Sequence, residues 1–87
     1  MGRICVVDDN EMLRESVAET LTRDDHAVST FADPVEALRV VRAGGYDCVL
    51  TDLKMPGMDG VSLLRELRSA GCEASVILMT AFGTVDS

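Results

Sequence analysis

Short apolar runs alternate along this chain with segments whose apolar residues recur at helical spacing. Ile4-Cys5-Val6-Val7 is apolar at every position, as in a strand covered on both faces, and it stops at Asp8-Asp9-Asn10. Helical spacing follows, with Leu13, Val17, Thr20 and Leu21 on one side and Arg14, Glu15, Glu19 and Arg23 mostly elsewhere. Asp24-Asp25-His26 break that pattern. Ala27–Phe31 reads as a second strand, less apolar and so nearer an edge. Asp33-Pro34-Val35-Glu36 is a helix start, with Asp33 as cap, Pro34 at the first helical position and Glu36 at capping-box spacing. Val35, Leu38 and Val41 form its apolar stripe, and Gly44-Gly45 end it.

Cys48-Val49-Leu50-Thr51 is a third strand, ending at Asp52 and followed by a loop over residues 53–60. Val61, Leu64 and Leu67 mark a third helix that closes near Gly71. Val76-Ile77-Leu78-Met79 is a fourth strand ending at Thr80. Ala81-Phe82-Gly83 is a turn, and Thr84 could cap a further helix. Strict alternation of strands and helices with short connections predicts an α/β fold, a doubly wound parallel sheet with helices on both faces. Ligands of such sheets bind beyond the carboxyl ends of the strands, so the residues after each strand carry the functional reading.

Composition narrows that reading. The chain has 87 residues, room for one small domain, with a net charge of −7 and three aromatic residues, Phe31, Tyr46 and Phe82. The acidic balance argues against a phosphate-backbone binder, and the scarcity of aromatics against a base-stacking platform. No apolar run reaches the ~20 residues of a membrane span, and the early acids are unlike a secretory signal. Cys5, Cys48 and Cys72 form neither a disulfide framework nor a zinc motif; Cys5 and Cys48 sit in apolar runs as small hydrophobes. Reduced thiols fit a cytoplasmic setting.

After strand one come Asp8 and Asp9, after strand three Asp52, and after strand four Thr80. If strands one, three and four are neighbours, three carboxylates and a hydroxyl converge on one crevice. Carboxylates that close resist full ionisation, and a hard divalent cation relieves them. Oxygen-only ligands point to Mg²⁺ or Mn²⁺ rather than zinc. A carboxylate beside such an ion can attack a phosphoryl group and become an aspartyl phosphate. Asp52, alone at its strand end, is the candidate nucleophile. Asp9 would ligate the metal directly, Asp8 directly or through its water, and the backbone carbonyl of Lys54 would complete the shell. The Thr80 hydroxyl could bond a phosphoryl oxygen. Each feature has a plainer reading alone: a solvated loop and helix cap for Asp8-Asp9-Asn10, a turn residue for Asp52, a strand-end threonine for Thr80, a solvated lysine for Lys54. His26 reads as an exposed loop residue, and the five methionines as filler.

Together these pieces resemble the receiver domain of two-component response regulators. Val6-Val7-Asp8-Asp9-Asn10 matches the family's acidic pair, residues 51–60 its phosphoacceptor strand and loop, and Leu78-Met79-Thr80-Ala81 its switch-residue strand. The resemblance implies a flavodoxin-like sheet with strand order 2-1-3-4. It implies that Asp52 takes a phosphoryl group from a histidine kinase with Mg²⁺, and that a C-terminal output domain is controlled, without enzymatic turnover. It also implies a further helix, strand and helix, and a lysine at the end of a fifth strand. The only lysine in this sequence is Lys54, so residues 1–87 read as a receiver domain incomplete at its C-terminus. An uncovered fourth-strand edge then predicts self-association. Residues 78–84 resemble receivers of nitrogen-regulation-type transcription activators, although nothing in these residues binds DNA. Two rival readings are a receiver that acts only as a phosphorylation-independent interaction module, and a metal-dependent phosphatase. The phosphatase would need a second acid where Lys54 stands.

Overall fold

Seven elements form along residues 2–79, the part of the chain that the computed structural model describes. They are β1 (Arg3–Val7), α1 (Glu11–Arg23), β2 (Ala27–Phe31), α2 (Pro34–Arg42), β3 (Cys48–Asp52), α3 (Gly60–Ser69) and β4 (Ser75–Met79). The four strands form one parallel sheet in the order β2-β1-β3-β4. The parallel sheet is what the alternating pattern predicts, and the strand order is the one the family resemblance implies. Each strand-to-strand connection carries a helix because parallel neighbours cannot be joined by a hairpin.

Register decides which side chains meet. Val7 pairs with Phe31 on one side and Thr51 on the other, while Asp52 pairs with Met79. The strand ends therefore lie level along one rim. Alternate residues of the inner strands, Cys5, Val7 and Val49, join Ala37 and Val41 of α2 and Leu63 and Leu67 of α3 in the main core. Leu63 and Leu67 are fully buried. Truncating either to alanine would cost about 2–5 kcal/mol, a large share of a small domain's stability. Burial pushes the Cys5 thiol up to about 12, so it behaves as a small hydrophobe. The half-buried Cys48 thiol is raised for the same reason.

The Asn10 and Asp33 caps match the sequence cues, but among the described residues Glu36 makes no capping-box bond to the Asp33 N–H. The Asn10 side chain accepts from the Leu13 N–H, Asp33 from Val35, and Asp59 from Ser62. Pro34 occupies the first turn of α2. Glu36 faces Arg39 at 3.6 Å.

The buried stripes differ from the expected ones. In α2 they are Pro34, Ala37 and Val41, while Val35 is 55% exposed. In α3 they are Gly60, Leu63 and Leu67, with Val61 and Leu64 only half-buried. In each helix the stripe is displaced by one position on part of its length, because apolar residues exceed what one face can bury. α1 buries no residue fully. It lies over β1 and β2 by its half-buried Val17 and Leu21, while Leu13 and Thr20 are exposed. His26 is half-buried, and its Nδ1 accepts the Gly2 N–H at 3.1 Å, so it secures the start of β1. β2 forms one edge of the sheet, as its lower apolarity predicts. β4 forms the other, with Ile77 51% and Leu78 37% exposed. Thr80, the turn at Ala81-Phe82-Gly83 and the Thr84 cap lie outside the described residues.

Candidate functional site

Adjacent central strands in a parallel sheet deliver their last residues to the same rim, and β1 and β3 are adjacent here. Asp8 and Asp9 follow β1 directly, and Asp52 is the last residue of β3. One carboxylate oxygen from each of the three lies within 4.8 Å of the other two. Asp8 is buried, Asp52 half-buried and Asp9 exposed, so the cluster opens to solvent on the Asp9 side.

Backbone and side-chain bonds hold Asp8 in place. Its N–H donates to Phe31 O of the edge strand (3.1 Å), and its carbonyl accepts from Arg14 Nη1 (2.8 Å). Its Oδ1 accepts the Asn10 N–H at 2.9 Å. Burial raises the Asp8 pKa most, and the charges of Asp52 and Asp9 add to it. The Asn10 hydrogen bond and the Arg14 charge oppose the rise without cancelling it. Sequence reasoning placed Arg14 outside the apolar side of α1 and gave it no role. Its position one turn beyond the Asn10 cap was the available signal, since that turn of the helix lies beside the end of β1.

The loop after Asp52 returns on itself. The Leu53 N–H donates to Met79 O (2.8 Å) and the Gly60 N–H to Leu53 O (2.9 Å). A Cβ on Gly60 would stand 2.5 Å from Asp52 O and 2.9 Å from Leu78 Cδ2. Only glycine permits this approach of α3 to the strand end. Met55 is buried within the same loop, and Lys54 is exposed. Asp8, Asp9 and Asp52 thus come together as the sequence predicts, Lys54 follows two residues after Asp52, and Thr80 lies outside the described residues.

The donor set suits a hard cation. Octahedral Mg²⁺ at about 2.1 Å places its ligand oxygens about 3 Å apart when adjacent and about 4 Å when opposite, a small side-chain adjustment from the spacing here. Among the described residues no histidine or cysteine joins the cluster. Burial is the main cause of the raised Asp8 pKa, and the repulsion from Asp52 and Asp9 that adds to it is what a divalent ion would remove. A cleft of about 450 Å³ lies elsewhere, at the opposite pole of the sheet between the ends of α2 and α3. It contains none of the three carboxylates.

A four-stranded parallel sheet in this order, with three acids gathered at the ends of its central strands, is the arrangement that the resemblance to receiver domains implies. The family model of the response regulator receiver domain matches residues 4–87, and the chain belongs to that family. It is 37% identical over 83 residues to the response regulator MprA of Mycobacterium sp. (strain KMS), covering 95% of this chain and 36% of that protein. The chain thus spans about a third of the length of the curated relatives it matches. It also resembles the response regulator protein TrrA from Thermotoga maritima, solved in complex with Mg²⁺-BeF, at 36% identity and a TM-score of 0.88, covering 99% of this chain and 75% of that one. TrrA in complex with the histidine kinase ThkA matches at 37% identity and a TM-score of 0.86, covering 100% of this chain and 75% of that one. Among the described residues no helix is long and apolar enough to cross a membrane.

Proposed function

We propose that this chain is the phosphoacceptor module of a cytoplasmic signalling protein, with Asp52 as the residue that is modified. The convergence of Asp8, Asp9 and Asp52 at the ends of β1 and β3 carries the reading. Asp9 and Asp52 hold Mg²⁺ through carboxylate oxygens, Asp8 holds it directly or through a water, and the Lys54 carbonyl completes the set. When bound, the ion neutralises charge on the phosphoryl oxygens during transfer.

The chain's own groups do the rest. A carboxylate oxygen of Asp52 attacks phosphorus of a histidine kinase's phosphohistidine. The P–N bond breaks, its electron pair stays on the imidazole nitrogen, and an acyl phosphate forms on Asp52. Asp8, buried and fixed by Asn10 and Arg14, keeps the second carboxylate in register with Asp52. The Thr80 hydroxyl bonds the new phosphoryl oxygen and passes the change to the segment that follows. That shift between two populated states is what a C-terminal output domain reads. Support comes from the family membership and from relatives solved with Mg²⁺-BeF and with a histidine kinase. The outer edge of β4 has no partner among the described residues, which supports association of the isolated chain at high concentration.

Intact-mass spectrometry after incubation with acetyl phosphate tests the proposal. One phosphoryl addition is expected with Mg²⁺ and none without it or in Asp52→Asn. Addition that survives Asp52→Asn, or its absence from a chain extended through the whole domain, overturns it.

A further inference from the structure

The fully buried hydroxyl of Thr51 stands directly behind the acidic centre, at the last core-facing position of β3. A hydroxyl taken out of water costs free energy unless it is bonded, and valine would fill the same space in a strand without that cost. Thr51 Oγ1 meets two acceptors. They are Asp52 O at 3.1 Å and Met55 Sδ at 3.9 Å. Both belong to the turn that carries the acidic centre, and neither belongs to the helices that pack on this face.

These two acceptors bracket the segment that matters. Asp52 O is the carbonyl that α3 crowds at Gly60; the same peptide donates its Leu53 N–H to Met79 O, and the next peptide accepts the Gly60 N–H at Leu53 O. Met55 is buried at the other end of the segment, one residue beyond Lys54. We propose that Thr51 is a positioning residue: its hydroxyl, with one proton to give, bonds Asp52 O and has Met55 Sδ as its alternative acceptor, and so sets the orientation of the Asp52 carboxylate and the Lys54 carbonyl toward the cation. The inference rests on the proposed function of Asp52.

Four variants test it: Thr51→Val, Thr51→Ser, Met55→Leu and the double variant Thr51→Val/Met55→Leu. Two readouts are Mg²⁺ affinity, followed by the amide resonances of residues 53–55, and the rate of acetyl-phosphate labelling at saturating Mg²⁺. A thermal midpoint is the third. Thr51→Val should weaken Mg²⁺ binding and slow labelling, each about three- to tenfold, the span of one modest hydrogen bond. Its thermal midpoint should stay level or rise. Thr51→Ser should recover most of the loss. Met55→Leu should lose less, and the double variant should match Thr51→Val, because the two changes remove one linkage. Wild-type affinity and rate in Thr51→Val overturn the proposal, as does Thr51→Ser failing to recover, or losses that track the midpoint alone. A wild-type chain extended through the whole domain that binds Mg²⁺ but takes no label overturns the phosphoacceptor reading separately, before any variant is made.

Discussion

The two poles of the sheet treat charge in opposite ways. At the amino pole charged and polar groups are matched. The Arg3 N–H donates to Asp47 Oδ2 at 2.9 Å, and its guanidinium lies 4.6 Å from the Tyr46 ring centroid. The Tyr46 hydroxyl bonds Ser29, His26 accepts from Gly2, and Arg68 reaches Cys72 O. At the carboxyl pole three carboxylates crowd within 4.8 Å, and burial and mutual repulsion together raise the Asp8 pKa. Paired groups stabilise a fold, whereas unrelieved like charges mark a place kept for something else. A cleft also lies at the matched pole, and what distinguishes the acidic pole is its crowded like charge.

The comparison can be broken most forcefully at Asp52. Asp52→Asn should abolish phosphoryl addition by acetyl phosphate while the fold, read by circular dichroism, is retained. At the matched pole the reverse should hold. Gly45 has a φ of +94°, and a Cβ there would collide with Arg3 Nη1. Gly45→Ala should destabilise the domain by about 1–2 kcal/mol in a urea titration and leave the Mg²⁺ dependence of labelling unchanged.

A smaller effect of opposite sign is expected at Asp8. Its pKa is raised by folding, so the contribution of this group to stability is full below its ordinary value near ~4 and is lost as pH rises through the folded value. Without Mg²⁺ at neutral pH, Asp8→Asn should therefore melt a few degrees above wild type. The gap should close as the pH falls toward ~4, and saturating Mg²⁺ should reverse it in thermal melts. The smallest effect concerns Asp59. The Ser62 N–H lowers its pKa, so the stability it lends α3 is present above the ordinary carboxylate value and is lost as pH falls through the depressed one. Asp59→Asn, which keeps an acceptor at the cap, should flatten that acid limb slightly in pH-dependent melts.

Most of the architecture was legible because its signals are local. The all-apolar run of Ile4–Val7 announces a central strand, and Asp33-Pro34 announces a helix start. Asp8, Asp9 and Asp52 could be brought together once the family resemblance supplied the strand order, since a parallel sheet aligns its strand ends. What escaped depends on tertiary choices that several local patterns permit. α3 offers Val61, Leu63, Leu64 and Leu67, and the structure buries Leu63 with Leu67 on the face that brings Gly60 close to Asp52 O, whereas local spacing pointed equally to Val61 and Leu64. His26 has no local partner; its acceptor role exists because the start of β1 passes beside the turn after α1. Arg14 and Thr51 were missed likewise, because each acts through a backbone carbonyl at the site and not through a recognisable motif.

The most direct test is a Mg²⁺ titration of the ¹⁵N-labelled chain, repeated for Asp52→Asn. Saturable shifts should be confined to residues 8–10 and 52–55, weaken sharply in the variant, and leave residues 42–47 and 70–74 at the opposite pole unmoved. Shifts centred on that opposite cleft, or binding that ignores Asp52, would contradict the account.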